Sequence, residues 1–112
     1  MTVAAMISMN VILFGSITTH LLYAQYDPTT LIKKGNTLFY QGNYTQAMQY
    51  YDKALAIDPN IEEAPTGKGT ALYGLGNYIQ ALQYFNKALA IDPNNKVALS
   101  GKGASLNRIG HY

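Results

Sequence analysis

One segment of this chain occurs twice, first at 42–60 and again at 76–94. The first copy, GNYTQAMQYYDKALAIDPN, and the second, GNYIQALQYFNKALAIDPN, are identical at 15 positions. A fixed period of about 34 residues is the signature of a repeat protein, in which every unit is one supersecondary structure and neighbouring units stack. The same spacing divides the chain into the units 28–61, 62–95 and 96–112, and the last of these is only half as long as the others.

Each full unit is predicted to be a pair of antiparallel helices. One face of the segment 44–57 follows the i, i+3, i+4, i+7 spacing of an amphipathic helix, and the preceding segment, about 30–40, has a matching apolar face. The first face consists of Tyr44, Ala47, Met48, Tyr51, Ala54 and Leu55, and the second of Leu31, Gly35 and Leu38. Because Gly35 and Ala47 lack bulk, the two helices can pack closely.

Turn residues predict where these helices begin and end. Gly42 is suited to the left-handed conformation that closes a helix, and Asn43 is expected to cap the helix that follows. The run Asp58-Pro59-Asn60 ends that helix because proline cannot continue it. Pro65 fits only a first helical turn, so we expect the first helix of the second unit to begin late, near Ala64, or to be distorted there.

These features together resemble the tetratricopeptide repeat (TPR) family, whose units of about 34 residues have glycine, leucine, alanine, aromatic and proline residues at set places. The matching residues are Gly35, Leu38, Gly42, Tyr44, Ala47, Tyr51, Ala54 and Pro59, then Gly69, Leu72, Gly76, Tyr78, Ala81, Phe85, Ala88 and Pro93. The resemblance covers 28–112 and implies an all-α fold, a right-handed solenoid of antiparallel helix pairs. TPR 1 is expected at 28–61, TPR 2 at 62–95 and the first helix of an incomplete TPR 3 at 96–112, so the chain is expected to be truncated.

The resemblance also implies a concave groove lined by the first helix of each unit, which suits a peptide or a partner helix. The groove positions carry Ile32, Asn36, Phe39, Tyr40, Thr66, Thr70, Tyr73, Gly74, Ser100, Ala104, Asn107 and Arg108. Family members that bind the acidic tail of heat-shock chaperones use basic and asparagine residues at five set places. Asn36 matches, but the other four places hold Ile32, Gly67, Val97 and Gly101. This carboxylate clamp is therefore absent.

One lysine occurs in each unit where the family usually has leucine: Lys34, Lys68 and Lys102. These residues line up in a stacked solenoid, and two interpretations stay open. In the first interpretation, the aliphatic stems of the lysines pack over apolar neighbours while the ammonium groups reach solvent. Alternatively, they form a basic ladder that attracts an acidic segment.

The composition gives little support for catalysis, metal binding or nucleic-acid binding. The chain has no cysteine, and its net charge of +2 lacks the concentrated basic stripe of a nucleic-acid surface. The six acidic residues fall mainly in turns and at helix starts, where capping explains them. We therefore predict no enzyme activity, no catalytic residue, no metal site, no cofactor and no nucleic-acid partner.

The segment 1–26 contains no charged side chain, and 3–22 are mostly apolar. Three interpretations stay open: a signal peptide cleaved after Ala24, a retained membrane anchor or tether formed by 3–22, and a cytosolic tail. The first two place the protein outside the cytoplasm or at the cell envelope, and we expect one of them.

The expected function is that of a non-catalytic protein-interaction module, exported or tethered to a membrane, that binds a protein or peptide partner. The alternative is the recognition arm of a longer multidomain protein, such as an enzyme or a receptor. The last helix carries Leu99, Leu106 and Ile109 along one side without the polar cap of a finished solenoid, so self-association through this helix is also expected.

Overall fold

The computed structural model describes residues 27–110, which form five α-helices. Their bounds are α1 Pro28–Tyr40, α2 Tyr44–Ile57, α3 Glu63–Gly74, α4 Tyr78–Ile91 and α5 Lys96–Gly110. The predicted signal peptide or anchor at 1–26, including the cleavage after Ala24, lies outside the described residues. Within 27–110, none of the helices has the length and apolar character needed to cross a membrane.

The helices pack as the repeat predicts. Helix α1 packs on α2 and α3 on α4, which gives two hairpins, and α5 packs on α4 as the first helix of a third unit. Contacts also join α2 to α3, α1 to α3, and α3 to α5. The first helices of successive units are therefore neighbours, and together they form one side of the stack. This arrangement confirms the all-α stack of helix pairs.

Gly42 and Gly76 end α1 and α3 in the same way. Their φ angles are +82° and +84°, in the left-handed region that favours glycine. After α1, the Gly42 amide donates to the Phe39 carbonyl at 2.9 Å and the Asn43 amide to the Leu38 carbonyl at 2.8 Å. This is the Schellman pattern of a helix end, so the prediction for Gly42 is confirmed.

Asn43 stands at the N-cap position of α2 as predicted, and its carbonyl accepts from the Ala47 amide at 2.9 Å, but the expected side-chain cap is not made. Neither Asn43 nor Asn77 makes a side-chain cap hydrogen bond. Asparagine at this place instead supplies its backbone amide to the end of the preceding helix, where Asn77 donates to the Leu72 carbonyl at 2.9 Å. The sequence signal was correct for a break between helices but not for the group that makes the bond.

Other polar side chains do cap helices. Asp27 Oδ2 accepts from the Thr30 amide at 3.2 Å at the start of α1. Asn95 Oδ1 accepts from the Ala98 amide at 2.9 Å at the start of α5. Both satisfy backbone donors that a helix start leaves without a partner.

Helix α3 starts one residue before the predicted Ala64, at Glu63. Pro65 is the third residue of the helix and is buried. A proline is tolerated there because the amides of the first turn have no partner within the helix. The expected late start is therefore confirmed, since α1 and α5 begin at the first residue of their units and α3 at the second.

The core consists of two similar clusters, each centred on one aromatic ring of a second helix. Tyr51 is 1% exposed in the first cluster, and Phe85 is 1% exposed in the second. An added Cβ at Gly35 would stand 2.6 Å from the Tyr51 ring, and one at Gly67 would stand 2.5 Å from it. Each ring is thus held between a glycine of its own unit and a glycine of the next unit, which sets the distance between α1, α3 and α5.

Candidate functional site

A cavity of about 300 Å³ opens where α1, α3 and the start of α5 meet. It is lined by Asn36, Phe39, Tyr40, Tyr51, Glu63, Thr66, Gly67, Thr70, Asn95 and Val97. Three aromatic rings and several polar side chains thus face one concave surface. A mostly apolar hollow with a few placed polar groups is the usual form of a binding site.

A second cavity, of about 450 Å³, continues from the first between α3 and α5. It is lined by Thr70, Tyr73, Phe85, Lys96, Val97, Ser100, Gly101 and Ala104. Thr70 and Val97 line both cavities. The two therefore form one continuous surface along the first helices of the three units, which we call the groove.

Tyr51 connects the core to the groove. Its hydroxyl donates to Asn36 Oδ1 at 2.6 Å, and burial, followed by the charge of Tyr40, raises the pKa of Tyr51 to about 12. The hydroxyl therefore stays protonated at physiological pH and can hold Asn36 in one orientation. With Oδ1 engaged, the Nδ2 of Asn36 is the group that can donate to a ligand in the first cavity.

The threonines of α3 offer fewer hydrogen bonds than their number suggests. Thr66 Oγ1 donates to the Glu62 carbonyl at 2.7 Å and accepts from Asn95 Nδ2 at 3.0 Å. Thr70 Oγ1 donates to the Thr66 carbonyl at 2.9 Å. Because these donors are already used within the protein, Thr70 meets a ligand as an acceptor.

The charged residues differ between the two cavities. Glu63 is the charged residue that lines the first cavity, and Lys96 is the one that lines the second. An acidic ligand group would therefore meet no cation among the lining residues of the first cavity, whereas the second offers one ammonium group. This polarity gives the groove a direction along its length.

Most of the predicted groove residues line these cavities. Asn36, Phe39, Tyr40, Thr66 and Thr70 line the first, and Thr70, Tyr73, Ser100 and Ala104 line the second. Asn107 and Arg108 are exposed on α5 and line neither of them, although Arg108 Nε lies 3.5 Å from the Tyr73 hydroxyl.

Ile32 does not belong to the groove. Its side chain is 6% exposed and packs in the first core cluster with Tyr51 and Ala64. The resemblance placed it on the concave surface, but it lies in a core cluster to which α2 and α3 both contribute. The prediction for this residue is therefore wrong, because its side chain is part of the core.

Several lining residues were not among the predicted groove residues. They are Tyr51, Glu63, Gly67, Phe85, Asn95, Lys96, Val97 and Gly101. Gly67, Val97 and Gly101 stand at the positions where clamp-containing family members bind their ligand. The resemblance could therefore have predicted that these three residues line the groove. Tyr51 and Phe85 come from second helices, and each lines a cavity where its almost fully buried ring lies against glycines of two first helices.

The three lysines have different surroundings. Lys34 is exposed, and Lys102 is half-buried. Lys68 is buried, with its Nζ 2.6 Å from Asp52 Oδ1 and 2.8 Å from the Tyr84 hydroxyl. Its ammonium group therefore neither reaches solvent freely nor presents an open charge, so Lys68 fits neither interpretation of the lysine series. It instead joins its own unit to the preceding one.

The Lys68–Asp52 ion pair should stabilise the junction between the first two units. Burial lowers the pKa of Lys68, but the hydrogen bonds to Asp52 and Tyr84 and the charge of Asp52 outweigh it and raise the pKa overall. The contribution to stability is then complete below the ordinary pKa of 10.5 and is lost as the pH rises through the raised value.

Asp52→Asn is expected to lower the free energy of unfolding by about 1 kcal/mol, because a neutral amide replaces a half-exposed carboxylate beside a buried ammonium group. Urea unfolding at pH 7 measures the difference. Asn86→Asp is the reciprocal variant, since Asn86 occupies the place of Asp52 in the second unit, and it should stabilise the junction with Lys102. Equal stability of Asp52→Asn and the unmodified protein would rule out this role for the pair.

A pair of carboxyl groups lies within the second unit, between Glu62 before α3 and Asp92 after α4. A hydrogen bond with the Asp92 carboxyl, followed by burial and by the charges of Asp92 and Glu63, raises the pKa of Glu62 above its ordinary value of 4.5, although a bond with Asn95 opposes the shift. Glu62 Oε2 is buried without a hydrogen-bond partner. A proton on Glu62 would supply the missing bond.

Glu62→Gln is therefore expected to stabilise the protein at pH 7. Because the folded state raises this pKa, the stability that protonation provides is present below pH 4.5 and is lost as the pH rises through the raised value. Glutamine keeps a donor at every pH, so the advantage of the variant should shrink as the pH falls. Thermal unfolding at a series of pH values measures this, and an advantage that did not vary with pH would contradict the shared proton.

The fold and the groove define a class of protein, the helical-repeat solenoids that present a concave surface. The sequence pattern of the tetratricopeptide repeat matches residues 28–61 and 66–95. The chain therefore belongs to the tetratricopeptide repeat family. No curated protein gave a significant match to the sequence.

Solved TPR domains have similar structures. The first TPR of Spaghetti (RPAP3), bound to the HSP90 peptide SRMEEVD, has a TM-score of 0.72 and 30% identity over 74% of this chain and 66% of that one. The second TPR of Spaghetti, bound to the same peptide, has a TM-score of 0.74 and 20% identity over 79% and 82%. The Sgt2 TPR domain from Aspergillus fumigatus has a TM-score of 0.75 and 20% identity over 84% and 64%. This chain thus spans just under two thirds of the first and third structures.

Proposed function

We propose that this chain is a non-catalytic protein-interaction module that binds an extended peptide or a partner helix in the groove. The observation that carries the proposal is the continuity of the two cavities, which share Thr70 and Val97 and draw their lining from three units. The peptide complexes of the two Spaghetti domains support it, because the peptide there is bound to a domain of the same fold.

The chemistry of the groove points to a ligand different from the SRMEEVD peptide. That peptide has three acidic residues near its carboxyl end, whereas Glu63 gives the first cavity a negative charge. Two of the clamp positions hold Gly67 and Gly101, and a Cβ at either would meet a core ring. The ligand of the first cavity is therefore an apolar or aromatic segment that accepts a hydrogen bond from Asn36.

Tyr40→Ala is the most informative substitution in the groove, because Tyr40 is 84% exposed while it lines the first cavity. Truncating an exposed ring removes contact area for a ligand and should leave the free energy of unfolding within about 0.5 kcal/mol of the unmodified value. Tyr73→Ala is less suitable, because Tyr73 packs against the second core cluster.

The test begins with peptides selected from a random phage-displayed library on the full chain, whose binding is then measured by fluorescence anisotropy. We expect Tyr40→Ala to weaken the selected peptides by about tenfold or more, as truncation of an aromatic anchor does. The SRMEEVD peptide should not bind measurably. If the selected peptides bind Tyr40→Ala, Phe39→Ala and Thr70→Val as tightly as the unmodified chain, the groove is not the site.

We further propose that the protein acts outside the cytoplasm or at a membrane surface. The support is the composition of residues 1–26, which carry no charged side chain and contain the apolar run 3–22. The intact mass of the protein from its native source is the test. A mass matching a chain that starts at Gln25 supports cleavage after Ala24, and an uncleaved chain in the soluble fraction contradicts both export and tethering.

A further inference from the structure

The turn between α1 and α2 contains the acceptor pattern for N-linked sugars. Asn43 is followed by Tyr44 and Thr45, and the pattern is asparagine, any residue except proline, and then serine or threonine. The full sequence has nine asparagines, and Asn43 is the one with a serine or threonine two positions later. Because an attached sugar is bulky, such a site must also lie at the surface of the folded protein.

The structure leaves both side chains of this pattern accessible and without another role. Asn43 is exposed, as are the two residues before it in the turn. Its backbone amide closes α1 and its carbonyl begins α2, but its side chain makes no cap hydrogen bond. Thr45 is exposed in the first turn of α2, and its hydroxyl makes no hydrogen bond within 27–110. A sugar on the Asn43 Nδ2 therefore breaks no hydrogen bond of the described fold.

The matching turn of the second unit shows what is particular to Asn43. Asn77 has a φ of −88° and a ψ of 69°, close to the −87° and 66° of Asn43, so asparagine at this place is a property of the turn. Ile79 stands where Thr45 stands in the first unit, and it is 65% exposed. The packing of the helices therefore does not require a hydroxyl at this position, yet the first turn has one.

We propose that Asn43 is a site of N-linked glycosylation. The proposal rests on the export proposed above, because this modification belongs to exported chains. The donor is an oligosaccharide carried on a polyprenyl phosphate. The Asn43 Nδ2 forms a bond to the first carbon of the sugar while the bond from that carbon to the phosphate oxygen breaks. The phosphate leaves with the electron pair, and Nδ2 gives up one proton.

The glycan is separate from the groove. Neither Asn43 nor Thr45 lines either of the groove cavities. Thr45 instead lines another hollow, of about 390 Å³, together with Met48 and Gln49 of the same helix and residues of α4. The glycosylated chain should therefore bind groove peptides as tightly as the unmodified chain, so that groove binding and glycosylation are tested independently.

The test is mass spectrometry of the full chain purified from its native source and of its tryptic peptide 35–53, which ends at lysine and contains the acceptor pattern. We expect Asn43 to carry the sugar. Thr45→Ile should abolish the modification completely, whereas Thr45→Ser should retain it. Thr45→Ile should fold normally, because Ile79 occupies the same place in the second unit.

Ile79→Thr is the matched gain-of-function variant, since it completes the pattern at Asn77 and should add a second glycan. An unmodified Asn43 in a chain that is cleaved after Ala24 or recovered with membranes would overturn the glycosylation and leave export standing. An uncleaved, unmodified chain in the soluble fraction would contradict both proposals. A sugar that persists in Thr45→Ile, or one at Asn77 of Ile79→Thr with none at Asn43, would also overturn the assignment.

Discussion

Phe85→Ala is expected to lower the free energy of unfolding by about 3 to 5 kcal/mol. Phe85 is 1% exposed, and its ring lies between Gly69 of its own unit and Gly101 of the next. The two glycines have no side chains that could fill the volume left by the ring. A loss of this size is a large part of the total stability of a small domain.

Phe85→Tyr is the matched control. Tyr51 occupies the same place in the first unit, and its hydroxyl bonds to Asn36. Thr70 is the equivalent of Asn36 in the second unit, so an added hydroxyl on Phe85 has a polar neighbour. We expect a cost below about 1 kcal/mol, as for other substitutions that preserve shape. Chemical unfolding followed by circular dichroism measures both variants, and a loss in Phe85→Ala no greater than that in Phe85→Tyr would contradict this packing of the ring.

Gly67→Ala is expected to destabilise the protein by about 1 to 3 kcal/mol, although alanine favours a helix. The new Cβ would stand 2.5 Å from Cζ of Tyr51. Gly35 also lies against this ring, which limits how far the ring can move away. The two units would have to move apart, which would also loosen the Lys68–Asp52 ion pair between them.

Gly103→Ala is expected to stabilise the protein, in contrast to Gly67→Ala. Gly103 is exposed within α5 and has open space where its Cβ would stand. Alanine there should stabilise the isolated chain by about 0.5 to 1 kcal/mol through helix propensity alone. Thermal unfolding of the two variants side by side should therefore shift the midpoint in opposite directions. A shift of the same sign in both would mean that contact with the rings does not decide the outcome.

Much of the fold could be predicted because its signals are local. The regular period of the repeat, the helical spacing of apolar residues and the glycines at 42 and 76 all act within one unit, and the structure confirms the helices and turns that they predicted. The late start of α3 could also be predicted from a local signal, because Pro65 is tolerated only in the first turn of a helix. The chain matches the family sequence pattern because these local signals recur in each unit.

The candidate site was predicted less completely, because it forms between units. Ile32 was expected on the concave surface, but it is buried in a core cluster to which both α2 and α3 contribute. Lys68 resembles Lys34 and Lys102 in its own unit, but Asp52 of the preceding unit converts it into a buried ion pair. Tyr51 lines the groove because glycines on two helices let its ring lie directly against their backbones.

The sequence by itself determined the class of fold and the positions of the turns, because hydrophobic spacing and backbone preference act over short stretches of chain. Only the tertiary structure decided which equivalent residues are buried, paired or open. Gly35, Gly69 and Gly103 occupy the same position in their units. The first two lie against aromatic rings, whereas Gly103 faces open space. The physical reason is that burial depends on the helix lying opposite, which the local sequence pattern of one helix does not specify.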